Sequence, residues 1–346
     1  MRMKTLFRWA FSATLAAALG LTGLPASATL APPPSYSALY VFGDSLSDPG
    51  NVAAAIGSNA GQVISGNGYI PSAPYGSGQF TNGNVWAISL AGMLGLPGAS
   101  NSYLAGGGNF AYGGAKTSFN GLVPSLLTQV SGIYLPSTGN TASPTALYVV
   151  AGGGNDGRDA VLAAAGATDQ AAAFGIVTNA ATTYAASTLS IVNSLRSAGA
   201  QNIVVWNVPN LGLAPAITSR GAAASALGTL VSGSMNAAMQ AALATVSAVV
   251  PGVRLFDDFG LLSTAVANPA SFGFTNAMDA CGNPLAACNA NLSTALFWDG
   301  IHPTAAGHAL LAQQMYALAA VPEPATVLMM LAGVLALAGT SHRRKG

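Results

Sequence analysis

The chain reads as an α/β protein, a three-layer α/β/α sandwich around a mostly parallel sheet of five strands. Three observations carry this. Short β-rich runs alternate with longer helix-like stretches, the pattern of a parallel sheet covered on both faces. Each run ends in a turn of Gly, Asn, Asp or Pro. The 346 residues are 51% apolar, ample for a sizeable core.

The predicted strands lie at 38–42, around 109–111, and at 147–151, 202–206 and 253–256. Helices are predicted at 85–94, 169–196, 219–249 and 304–319, the last with Thr304 as N-cap just after Pro303. Segments 58–81 and 268–294 are rich in Gly and Asn and read as loops around a site. Between 29 and 320 there is no internal repeat or linker, so this stretch is one domain.

Both ends have their own character. Arg2, Lys4 and Arg8 precede an apolar run from Phe11 to Leu24 and the small residues Ala26-Ser27-Ala28. This is the order of a secretory signal peptide, residues 1–28, for signal peptidase, with a retained anchor as the competing reading. At the other end, Val321-Pro322-Glu323-Pro324 is followed by an uncharged stretch from Ala325 to Thr340 and by Arg343-Arg344-Lys345. The prolines stop any helix there, and the basic end favours the cytoplasmic side of a membrane.

Charge excludes one class of partner. Residues 29–320 hold five basic residues (Lys116, Arg158, Arg196, Arg220, Arg254) against nine Asp, a net −4. No cationic face is available for a phosphate backbone, so nucleic acid is excluded. The two cysteines, Cys281 and Cys288, close a short loop and form a possible disulfide in an exported chain. No CxxC pair or Cys/His cluster offers a metal site, and no cofactor is called for.

The local chemistry starts at Gly43-Asp44-Ser45-Leu46-Ser47-Asp48-Pro49-Gly50-Asn51, where an apolar strand stops and Ser45 stands just beyond its carboxyl end. A serine hydroxyl needs a base within hydrogen-bond reach. Of the three histidines, His342 is in the tail and His308 lies within a helix. His302, in Asp299-Gly300-Ile301-His302-Pro303-Thr304, has a carboxylate three residues upstream. That spacing lets Asp299 meet Nδ1 and leaves Nε2 for Ser45, although an Asp-x-x-His pair can equally be a structural hydrogen bond.

The first of these runs resembles the opening block of the GDSL (SGNH) hydrolases, and the second resembles their closing Asp-x-x-His-Pro-Thr block. Two further segments are similar to the blocks between them: Gly107-Gly108-Asn109-Phe110-Ala111-Tyr112-Gly113-Gly114-Ala115, and Gly153-Gly154-Asn155-Asp156. The four occur in family order across residues 43–304. The resemblance implies a flavodoxin-like SGNH fold and an esterase or lipase, with Ser45 as nucleophile, His302 as base and Asp299 as its orienting acid. It also implies an oxyanion hole made by the Ser45 and Gly114 amides and the Asn155 side chain. Gly113 remains the alternative to Gly114.

The last 26 residues resemble a PEP-CTERM sorting tail, residues 321–346. That implies processing by an exosortase, transient anchorage in the inner membrane, and an address in a Gram-negative envelope or extracellular matrix. Two rival readings stay open: a carbohydrate O-deacetylase acting on exopolysaccharide with the same triad, and a non-catalytic envelope or matrix binder. Asp44, Asp48 and Asp156 read as turn-fixing residues and Lys116 as a surface residue. Tyr69, Tyr75, Phe80, Phe272, Phe274 and Trp298 serve either an acyl pocket or packing.

Overall fold

Strands β1 (Leu39–Gly43), β2 (Leu147–Ala151), β3 (Asn202–Trp206) and β4 (Val253–Phe256) form one parallel sheet in the order β1-β2-β3-β4. The computed structural model describes residues 35–247, 252–284, 286, 288 and 291–320. The predicted signal peptide and the C-terminal tail fall outside the described residues.

All five residues of β2 are buried, as expected of a continuous apolar run inside a two-sided sheet. The period of two assigns alternate residues to opposite layers. Phe42, Tyr148, Val150, Ile203 and Val205 face one cluster. It is completed by helices α3 (Gly154–Ala165), α4 (Gln170–Ser197) and α5 (Ala222–Ser247). Val41, Leu147, Val149, Val204 and Trp206 face the other, with α2 (Trp86–Met93) and α7 (Ala305–Ala320). Burying each large side chain contributes about 1.5–3 kcal/mol, which makes this three-layer packing the main source of stability. The short α1 (Asn51–Ile56) follows β1, and α6 (Asp258–Ala267) follows β4.

The sheet has four strands where five were predicted. The run around 109–111 does lie along β1: Val41 N–H donates to Gly108 O at 3.0 Å and Phe110 N–H to Val41 O at 2.8 Å. It makes only an isolated bridge at Asn109, however. The Asn109 side chain takes the Ala111 N–H at 3.0 Å, and Asn51 Nδ2 donates to the Asn109 and Ala111 carbonyls. These side-chain bonds compete with the ladder.

The predicted helix starting at 169 begins one residue later, because the Asp169 side chain caps it by accepting the Ala172 N–H. Thr304 caps α7 by accepting from Gly307 N–H at 3.1 Å. The expected loop 268–294 contains a strand, β5 (Asn276–Ala280), which pairs in parallel with β6 (Ala295–Phe297). A disulfide joins Cys281 to Cys288 just beyond β5. Among the described residues no helix is long and apolar enough to cross a membrane.

Candidate active site

Ser45 stands two residues past the last residue of β1, in a turn closed by Ser47 N–H donating to Asp44 O at 3.0 Å. Gln129 clamps the strand end: Gly43 N–H donates to Gln129 Oε1 at 2.8 Å and Gln129 Nε2 donates to Gly43 O at 2.9 Å. From the far end of the chain, β6 runs into a tight loop in which Trp298 N–H donates to His302 O at 2.8 Å and Phe297 bridges Pro303. Two residues of the 80–86 segment brace this loop. Thr81 Oγ1 donates to Pro303 O, and Asn82 Oδ1 accepts from Ala305 N–H.

Residues far apart in the chain therefore meet. Ser45 Oγ lies 2.8 Å from His302 Nε2, and His302 Nδ1 lies 2.7 Å from Asp299 Oδ2. Asp299 is fully buried, and its carboxylate has four partners. Oδ1 accepts the Ile301 and His302 amides, each at 2.8 Å; Oδ2 meets His302 Nδ1 and also accepts the Tyr75 hydroxyl at 2.7 Å. An acid held this way fixes the imidazole with its proton on Nδ1 and leaves Nε2 to accept from Ser45.

His308 is a poor alternative base. It is fully buried in α7, its Nδ1 accepts the Trp86 N–H, and burial lowers its pKa to about 3.

The glycine pair divides its duties. Gly113 N–H donates to Asp48 Oδ2 at 2.9 Å, and a Cβ at this position would fall 2.1 Å from the Phe80 ring, which in turn packs on His302 with ring centroids 5.4 Å apart. Gly114 has φ +80°, open space where a Cβ would be, and an N–H with no acceptor among the described residues. Asn155, at the start of α3, donates one Nδ2 hydrogen to Ala115 O at 2.9 Å and lines the space beside Ser45.

The acids around the serine serve the scaffold. Asp48 accepts the amides of Gly50, Asn51, Val52 and Gly113. Asp156 accepts the Thr117 amide and hydroxyl, and Lys116 pairs with Asp159 at 2.5 Å. The aromatic candidates are placed differently from an acyl-pocket lining. Tyr75 bonds Asp299 and packs edge-on against Trp298, Phe80 covers His302, and Phe272 and Phe274 pack in a cluster with Leu296 and Phe297.

The sequence named Tyr75 only for an acyl pocket or packing, and its bond to Asp299 was not foreseen. Only its position in the long loop pointed to it, 224 residues from Asp299. Losing a hydrogen bond to a charged group removes ~1.5–3 kcal/mol. Tyr75→Phe is therefore expected to lower kcat/KM on a simple ester by about tenfold or more, measured beside the melting temperature. A drop in melting temperature with no kinetic loss would contradict this role.

The space beside the serine consists of two apolar compartments. The first, about 80 Å³, is lined by Ser45, His302, Leu162, Ile217, Arg158 and Arg220 among others. The second, about 70 Å³, lies between α6 and α7 and is lined by Leu261, Leu262, Ala265, Leu310 and Leu311. They share Leu46, Pro209, Leu211, Ala214 and Ile301.

Behind the serine, Asp44 and Asp258 face one recess. Burial raises the Asp44 carboxyl to about 6, and burial with the neighbouring Asp257 and Asp44 charges raises Asp258 to about 7. Among the described residues no cluster of three His, Cys, Asp or Glu is arranged to hold a metal.

Asp258 has a consequence for stability. Its folded pKa exceeds the unfolded value, so the native state binds more protons and stability falls as pH rises from about 4 to about 7. At ~1.4 kcal/mol per pKa unit the effect is on the order of a few kcal/mol. Asp258→Asn is expected to be more stable than the wild type at pH 8 and to lose that advantage at pH 4. Denaturant melts at both pH values check this, and an unchanged difference between the two would refute it.

Comparison with known proteins agrees with the residue order and the geometry. The sequence profile of GDSL-like Lipase/Acylhydrolase matches residues 39–315, and that of the PEP-CTERM protein-sorting motif matches residues 320–345. Among curated relatives, Esterase EstA of Pseudomonas aeruginosa is 32% identical over 92% of this chain and 52% of its own length. Phosphatidylcholine-sterol acyltransferase of Aeromonas hydrophila is 27% identical over 85% of this chain and 93% of its own. A GDSL esterase/lipase of Arabidopsis thaliana is 26% identical over 81% and 88%. The chain spans about half the length of the Pseudomonas esterase it matches. With the matched profile covering most of its length, the chain belongs to the GDSL-like lipase/acylhydrolase family.

Proposed function

We propose that the protein is an exported serine hydrolase that cleaves carboxylic esters through an acyl-enzyme. The reading is carried by the continuous relay from Asp299 through His302 to Ser45, with contacts of 2.7 and 2.8 Å, at the wall of an apolar compartment.

Ser45 Oγ attacks the ester carbonyl while His302 Nε2 takes its proton. The Ser45 and Gly114 amides and Asn155 Nδ2 donate to the oxyanion. The free Gly114 N–H and the Asp48-bound Gly113 N–H favour Gly114 over Gly113 as that donor. The C–O bond to the alcohol breaks, and His302 returns the proton to the departing oxygen. Water, deprotonated by the same imidazole, then attacks the acyl carbonyl, releasing the acid and restoring Ser45. The buried Asp299 carboxylate stabilises the imidazolium formed in each half-reaction.

Residues 1–28 serve as the signal peptide, residues 29–320 as the hydrolase domain and residues 321–346 as the sorting tail. Signal peptidase and an exosortase are the processing partners. An O-deacetylase would use the same three residues, but the leucine-walled lining of the second compartment suits an acyl chain longer than acetyl.

A fluorophosphonate probe tests the assignment. The wild type is expected to be labelled and to turn over p-nitrophenyl butyrate, and Ser45→Ala to do neither. A wild type that is neither labelled nor active would replace this reading with a non-catalytic binder.

A further inference from the structure

The first compartment carries an uneven share of the charge. Residues 29–320 hold five basic side chains, and two of them, Arg158 and Arg220, line the same space as Ser45 and His302. Helix α3 presents Asn155, Arg158 and Leu162 to this space at spacings of three and four, hence from one face. Arg220 comes from a different element, with Ile217, just past the helical turn Pro215–Thr218.

Neither guanidinium donates a side-chain hydrogen bond among the described residues, although Arg158 acts on the Asp44 carboxyl through its charge. The ion contact of Arg158 is a 3.8 Å approach to Asp159, whose carboxylate already meets Lys116 at 2.5 Å. Arg220 has no ion pair or side-chain hydrogen bond among the described residues. Each presents a planar fork of five donors suited to a carboxylate or phosphate. Asp44 is the one carboxyl in this lining, and its Oδ1 already accepts the Leu46 N–H. The second compartment has no basic residue in its lining and is walled by leucines. Ser45 and His302 line the first compartment together with the residues the two share, so an ester held at the serine adjoins both the two cations and the leucine-walled space.

We propose that Arg158 and Arg220 form an anion subsite on the alcohol side of the scissile bond. The substrate is then a carboxylic ester whose alcohol portion carries a phosphodiester or carboxylate, with its acyl chain in the leucine-walled compartment. This rests on the ester-hydrolase reading above and specifies its substrate class.

The test compares octanoyl esters in matched pairs, each assayed as monomers. Octanoyl glycerophosphoglycerol is set against octanoylglycerol, and octanoyl glucuronate against octanoyl glucose. The wild type is expected to favour the anionic member of at least one pair by about tenfold or more in kcat/KM, chiefly through KM. The pair with the larger ratio names the source of the anion.

The double variant Arg158→Gln/Arg220→Gln is expected to bring that ratio close to one, while lysine at both positions keeps part of it. Arg196→Gln, which removes a charge from α4 away from the site, is expected to keep the full ratio. The neutral ester is the internal standard, so a folding defect lowers both rates and leaves their ratio. A ratio near one in the wild type, or one that survives in the double variant, overturns the subsite while neutral-ester turnover dependent on Ser45 upholds the hydrolase. Absence of turnover on all four esters overturns the subsite, and absence of p-nitrophenyl butyrate turnover as well overturns both.

Discussion

Ser45→Ala is expected to lower kcat on p-nitrophenyl butyrate by a factor on the order of 10⁴–10⁶ while leaving KM within a few-fold. The hydroxyl is the atom that bonds to the acyl group, and no neighbouring side chain can replace it. Ser47 points elsewhere, with its Oγ accepting from Trp86 Nε1. Substrate binding rests on the apolar walls and the oxyanion donors, which the substitution leaves in place. Stability should change little, because the hydroxyl contributes a single hydrogen bond, to His302, worth ~1 kcal/mol. Steady-state kinetics with a thermal melt check both halves, and residual activity within tenfold of wild type would show that Ser45 is not the nucleophile.

Asp299→Asn is expected to cost about 10⁴-fold in kcat at neutral pH with the fold retained. Both carboxylate oxygens accept two hydrogen bonds, and an amide can reproduce only one such set. If the amide NH₂ occupies the Oδ1 position, it opposes the Ile301 and His302 N–H groups, donor against donor. If it occupies the Oδ2 position, the Tyr75 hydroxyl can rotate to accept from it, but His302 Nδ1 must also become an acceptor. The imidazole proton then sits on Nε2, facing Ser45, and the base can no longer take the serine proton. The second arrangement preserves more hydrogen bonds, so the loss is chemical and not structural. A kcat within tenfold of wild type in a folded Asp299→Asn would mean that the acid does not set the tautomer.

The parts of this site that were legible in the sequence are those encoded locally. The Gly43-to-Asn51 run places a serine beyond a strand end. The three-residue spacing of Asp299 and His302 lets one tight loop hold both, through amide bonds to the same carboxylate. Strands β2 and β3 were recognisable because a two-sided buried sheet requires apolar runs, and the half-buried β4 by its short β-rich run despite Arg254. Helices α3 and α6 were missed. The first begins in glycines that read as a loop, and the second is a ten-residue element that starts at the second of two aspartates. The fifth strand failed because Asn109 and Asn51 divert backbone groups into side-chain bonds, a competition visible only once the two asparagines are neighbours.

By itself, the order of residues along the chain determined the α/β layering and the sorting motif at the C-terminus, and its resemblance to a known family pointed to the serine, histidine and aspartate. The layering follows from periodicity and the resemblances from short motifs, and both survive without knowledge of distant contacts. The tertiary structure alone decided that Tyr75 bonds Asp299, that Gly113 serves Asp48 while Gly114 stays free, and that two arginines from different elements line one compartment. Each of these joins residues tens to hundreds of positions apart. Such pairings depend on how the layers pack, and no local pattern records them.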